Sequence, residues 1–259
     1  MTLDRSAIEL DFEDRFDGRG LDPERWIPHY LPHWSTPDRT AARYEVGAGL
    51  RLRIDADTPP WCPDLDGDLR VSSIQTGVFA GPARSSIGQH RFHPGAVVRS
   101  EQPLRVLYAP QFGLVELRCR AIADPRSMVA LWLIGIEDVP ERSGELCVAE
   151  IFGRDVEPGC ARIGMGIHPF ADPALEDDFA LVTVDIDATE PHTYSASWEP
   201  GRTRWFVDDR EVRAIGQAPA YPLQLMLNIY EFPVDGDARP PAAYPKVFHV
   251  DWVRGYRRR

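Results

Sequence analysis

A two-residue period constrains this chain more than any other feature. Between Gly113 and Ala123, Val115, Leu117, Cys119 and Ala121 alternate with Glu116, Arg118 and Arg120, the pattern of a strand with one apolar and one wet face in an antiparallel sheet. The same alternation recurs at Leu50, Leu52 and Ile54, at Val182, Val184 and Ile186, and at Tyr194, Ala196 and Trp198. It returns where Leu223, Leu225, Leu227 and Ile229 oppose Gln224, Met226, Asn228 and Tyr230. Val129 to Ile136 is continuously apolar and reads as a central strand, Trp205 to Val212 as a hairpin with a two-residue turn, and Val247 to Tyr256 as the last strand. No convincing amphipathic helix, internal repeat or low-complexity tract interrupts this reading. The implied fold class is all-β, a β-sandwich of two packed antiparallel sheets. At 259 residues such a sandwich is expected to be one domain, residues 1–259. With 24 Pro and 20 Gly the sequence favours turns, and seven Trp supply a sizeable core.

Charge and cysteine usage narrow the function. A formal net charge of −11 argues against nucleic acid or an anionic membrane as partner, since binding phosphates requires clustered Lys and Arg. The terminal Arg257-Arg258-Arg259 reads as a solvated tail. Met1 to Phe16 lacks the apolar run of a secretory signal, and no segment is long enough to span a bilayer. The expectation is a soluble monomer, cytoplasmic as given or secreted if a leader was removed. Cys62, Cys119, Cys147 and Cys160 lack the paired spacing of a zinc site and permit up to two disulfides without demanding them.

The stretch with the most chemical content is Gly144-Glu145-Leu146-Cys147-Val148-Ala149-Glu150-Ile151-Phe152-Gly153. Two carboxylates lie in an apolar strand, where burial is costly unless they are paired or used. Strict alternation would turn Glu150 away from Glu145. Both face one cleft only if a bulge inserts an extra residue between them. Two glutamates so placed suit glycosidic bond cleavage, one attacking the sugar and the other protonating the departing oxygen. The Pro-, Gly- and Asp-rich stretch from Asp55 to Gly95, with Trp61, Phe79 and Phe92, reads as long loops that shape a binding site.

These residues fall in a familiar order. Leu21 to Trp26, Gly113-Leu114-Val115-Glu116-Leu117-Arg118, Ala130-Leu131-Trp132-Leu133, the two glutamates, His192-Thr193-Tyr194, Phe206-Val207-Asp208 and Val250-Asp251-Trp252-Val253 resemble glycoside hydrolase family 16. That family is the concanavalin-like jelly roll of laminarinases, lichenases and agarases. The resemblance implies a retaining endo-glycosidase acting on a β-linked carbohydrate, a β-1,3 or mixed-linkage glucan foremost, with no cofactor required. It casts Glu145 as nucleophile and Glu150 as general acid and base. Cys147 departs from the motif Glu-x-Asp-x-x-Glu, standing where the family has an aspartate that tunes the nucleophile.

The resemblance also assigns Trp132 as a stacking platform for a sugar ring, with core packing as the other reading, and places His168 in the cleft. Asn228 and Tyr230, opposite the Leu face, are expected to reach sugar hydroxyls or solvent. Glu116 resembles the family's glutamate on the neighbouring strand, with pairing to Arg118 or Arg120 on the polar face as the other reading. Asp251 matches an aspartate that binds a structural calcium in some relatives. Two rivals stay open: a glycan-binding protein that has lost turnover, with Cys147 as its argument, and a jelly-roll polysaccharide lyase, faintly suggested by Arg99-Ser100-Glu101.

Overall fold

The computed structural model describes residues 1–233 and 241–259. Its strands form two large sheets in which every pairing is antiparallel. The eight-stranded sheet runs Arg210–Ile215, Arg202–Val207, His192–Glu199, Gly113–Arg120, Lys246–Arg258, Gly49–Ile54 and Arg43–Gly47, with Ile8–Asp14 also paired to Lys246–Arg258. The seven-stranded sheet runs Val156–Glu157, Cys160–His168, Glu145–Phe152, Ser127–Gly135, Leu223–Glu231 and Arg70–Gln75, with Asp178–Val184 along Cys160–His168. Leu117, Tyr194, Phe248 and Val250 from the first sheet meet Leu131, Leu146, Ile163 and Leu227 from the second in one buried cluster. The alternating faces therefore pack as the sequence predicts, and the fold is a jelly-roll β-sandwich.

The predicted hairpin is present. Asp208 and Asp209 both adopt positive φ, 46° and 64°, as the tight turn matching strand twist requires. Helix is confined to two four-residue turns and one short 3-10 segment among the described residues.

Three expectations need correction. Asp55 to Gly95 is not all loop, because it contains the strands Arg70–Gln75 and Gly77–Ala80. Ser72, Ser73 and Gln75 are polar yet buried, and Ser73 accepts a hydrogen bond from Asn228 while Ser72 exchanges two with the Arg43 backbone. At the two serines polarity marks satisfied hydrogen bonds rather than solvent, whereas the buried Gln75 side-chain amide finds no partner among the described residues. The Arg tail is not free either: Lys246–Arg258 extends through it, and Arg257 and Arg258 pair with Glu9 and Glu199. Glu116 pairs with Arg5, at 2.5 Å, rather than with Arg118 or Arg120. All four cysteines are free thiols. No helix among the described residues is long and apolar enough to cross a membrane.

Candidate active site

The seven-stranded sheet has a second face, turned away from the sandwich core. On it Met128, Ala130, Trp132, Met226 and Tyr230 pack against Tyr30, Trp34 and Trp61. Glu145 and Glu150 emerge beside this aromatic layer because the expected bulge is there. Leu131 pairs with Ala149 but the next residue, Trp132, pairs with Cys147, which leaves Val148 as the inserted residue. Val148 and Ala149 both enter the core, so Glu145, Cys147 and Glu150 share the outward face. A bulge interrupts the ladder, and its carbonyls need other donors. Trp205, buried in the opposite sheet, supplies one: its indole N–H donates to the Cys147 carbonyl at 2.7 Å.

The neighbouring strand sets the rest. His168 pairs with Glu145, Gly166 with Cys147 and Gly164 with Glu150. A Cβ at Gly164 would collide with the Phe179 ring and one at Gly166 with the Asp178–Phe179 backbone, so the two glycines admit that ring and its strand; the ring stacks on His168 at 4.9 Å. The His168 Nδ1 lies 3.1 Å from Asp177.

Cys147 bridges the two carboxyls, its Sγ 2.9 Å from Glu145 Oε1 and 3.6 Å from Glu150 Oε1. Glu145 is 5% exposed; Glu150 is half-buried. Burial pushes the Glu145 carboxyl well above the usual range, Glu150 pushes it further, and the Cys147 thiol opposes both. Burial likewise raises Glu150 against the same thiol. The Cys147 thiol is itself driven well above its ordinary range by burial and by the two acids, so it stays a neutral donor. Two elevated carboxyls close together can hold one proton between them near neutrality, the condition for one to act as base while the other acts as acid.

Not every predicted side chain faces the cleft freely. Trp132 is 3% exposed: its N–H donates to Asn228 at 2.6 Å and His90 covers it at 5.3 Å, so it offers no face to a sugar and packs as core. Asn228 is fully buried, with both amide atoms spent on Trp132 and Ser73, and does not reach outward. Tyr230 is buried against Tyr30, their rings 5.6 Å apart. His168 is half-buried and beside Glu145 as expected. Asp251 is the inserted residue of a bulge in the other sheet, and its carboxylate lies 3.4 Å from Arg118. A cation there would have to displace that guanidinium. The donor set capable of holding a metal among the described residues is instead Glu145, Cys147 and His168.

Other residues complete the site. Phe152 is half-buried, stacked with Phe232 at 5.9 Å and covered by Arg154 at 4.4 Å. Phe170 is 53% exposed, edge-on to His90 at 5.2 Å. Period two carries Phe152 from Glu150 within the strand Glu145–Phe152, so that signal was available; Phe170 lies in the turn beyond the strand Cys160–His168, at positive φ, where no such period holds. His90 and Glu137 had no such signal: both take positive φ in loops, and the His90 N–H donates to Glu137 at 2.5 Å. Burial raises Glu137 to about 7 against that hydrogen bond, and lowers His90 to about 4, with His168 adding to the effect.

A jelly-roll sandwich presenting two adjacent carboxyls from one bulged strand is an arrangement suited to glycosidic chemistry. A family model described as glycosyl hydrolases family 16 matches residues 91–254, and the chain belongs to that family. No curated protein matches the chain. Among solved structures, the GlcNAcα1-4Gal releasing endo-β-galactosidase from Clostridium perfringens is similar with a TM-score of 0.83 and 25% identity, over 98% of this chain. The chain spans 64% of that protein's length. The laminarinase from Rhodothermus marinus is similar in fold with a TM-score of 0.67 and 20% identity, over 97% of this chain and 98% of that one.

Proposed function

We propose that the chain is a retaining endo-glycosidase that cuts an internal β-linkage in a galactan- or glucan-type glycan. The observation that carries this is the Cys147 bridge, with one sulfur 2.9 and 3.6 Å from the two carboxylate oxygens. Such closeness suits the roughly 5–5.5 Å spacing of a double-displacement pair and not the roughly 6.5–9.5 Å that an inverting pair keeps for its water. Glu145 attacks the anomeric carbon and forms a glycosyl-enzyme. Glu150, the more exposed of the two, protonates the leaving oxygen and then activates water. The Cys147 S–H donates to Glu145 where an aspartate would stand in the family motif. Phe170, 53% exposed, gives a sugar ring the aromatic face that Trp132 does not.

The galactosyl bond is the first substrate reading, favoured by the likeness to the endo-β-galactosidase. A β-1,3 or mixed-linkage glucan is the second, favoured by the laminarinase fold. The test is a panel of β-galactans, poly-N-acetyllactosamine, laminarin and lichenan, read by mass spectrometry, with Glu145→Gln alongside and the product anomer followed by NMR. Internal cleavage with retained configuration, lost by at least about a thousandfold in Glu145→Gln, is expected. Binding without products in the unmodified protein would instead make this a glycan-binding protein, and unsaturated uronate products would make it a lyase.

A further inference from the structure

We propose that Glu145, Cys147 and His168 form a binding site for a zinc-class divalent cation, and that the bound ion blocks sugar cleavage. The strand register converges these three side chains: His168 lies directly across from Glu145, and Cys147 is two residues along on the same face. One donor atom from each lies within 4.8 Å of the others. A tetrahedral zinc holds sulfur at about 2.3 Å and nitrogen or oxygen at about 2.0–2.2 Å, which puts its ligands roughly 3.3–3.6 Å apart. The three donors are therefore about an ångström from a ligating arrangement, a distance side-chain rotation covers. Glu150 Oε1, 3.6 Å from Cys147 Sγ, already stands where a fourth ligand would.

The donor chemistry selects the ion. Thiolate, imidazole and carboxylate together suit zinc and its neighbours, whereas calcium and magnesium take oxygen alone. An aspartate at position 147 would have made the set harder; the cysteine makes it zinc-like. His168 is also prepared as ligands of this kind are. Asp177 sits 3.1 Å from Nδ1, which favours a proton there and leaves the Nε2 lone pair free, and Phe179 stacked at 4.9 Å fixes the ring plane. Access runs past His168 and Glu150, both half-buried. As the metal–sulfur bond forms, the Cys147 proton leaves to solvent. The ion occupies the Glu145 oxygen that must reach a sugar, so binding and turnover exclude each other. The metal site stands on its own geometry, while the block rests on the nucleophile reading of Glu145.

The experiment titrates the reduced protein with Co2+, follows thiolate-to-cobalt charge-transfer absorption, displaces the cobalt with Zn2+, and runs glycan hydrolysis along the same titration. One ion per chain is expected. The band should vanish in Cys147→Ser, whose fold is checked by circular dichroism, and affinity should fall at least tenfold in His168→Gln. Hydrolysis should decline with occupancy and return with a chelator. No band in the unmodified protein, or the same band in a folded Cys147→Ser, would overturn the site. Full occupancy with undiminished hydrolysis would overturn the block. If no glycan is cleaved even without metal, the absorption titration still decides the site, and the hydrolase reading alone fails.

Discussion

Cys147 has one proton to give and two carboxylates within reach, and the geometry directs it to Glu145, at 2.9 Å against 3.6 Å for Glu150. The residue is fully buried, so it acts on substrate only through its neighbours. A hydrogen bond to an ionised group is worth about 1.5–3 kcal/mol, and a thiol stands at the weak end of that range. Cys147→Ala should therefore lower kcat by about tenfold with KM little changed, and Cys147→Ser should recover part of the loss; steady-state kinetics on the cleaved glycan check both. An equal rise in KM would mean the cleft had been reshaped instead. At this scale the sequence was informative about the acids and misleading about their companions. Period two put Asn228, and the family resemblance put Trp132, on the site face, where they are. It could not say that they would be consumed by each other and roofed by His90, because that loop lies far away in sequence.

The bulged strand is a device shared between elements. Glu145 and Glu150 point the same way because Val148 is inserted, and the inserted geometry leaves the Cys147 carbonyl to be satisfied by Trp205 from the opposite sheet. Trp205→Phe keeps most of the ring's volume and removes the donor. An unsatisfied buried carbonyl costs about 1–3 kcal/mol. The variant should lose about that much stability in urea unfolding. Its kcat should fall severalfold at nearly constant KM, since Trp205 is a positioning residue that touches no substrate. Unchanged kcat despite the lost stability would show that the bulge holds itself. The need for a bulge was legible from two acids five positions apart; its partner was not, because a core Trp on another strand carries no mark of what its N–H bonds. The Arg70–Gln75 strand was missed for a related reason. Its serines and glutamine look like loop, and only the partner strand shows them inside.

At the scale of the whole molecule, charge stitches together what hydrophobicity alone did not reveal. The acidic first strand pairs with the basic last one, Glu9 with Arg257 and Glu13 with Arg254, so the first strand does not read as one until the last is beside it. Deeper in, Lys246 is buried between Asp124 at 2.6 Å and Glu231 at 2.8 Å, tying the last strand of one sheet to the Leu223–Glu231 strand of the other and to the approach to Ser127–Gly135. Burial alone would raise the Asp124 carboxyl, but Lys246, Ser127 and the Ala242 N–H outweigh it and hold the group below its ordinary value. A depressed carboxyl contributes stability in full above its unfolded pKa, near 4, and loses it as pH falls through the lower folded value. Asp124→Asn leaves the buried ammonium with one anion instead of two, and should destabilise the fold by about 3 kcal/mol at pH 7. Acidification should narrow that difference and remove most of it once Asp124 is protonated in both folded and unfolded chains. Urea midpoints measured for both proteins from neutral to strongly acid pH test this, and a gap that stays constant across the range would mean Asp124 acts through packing rather than charge.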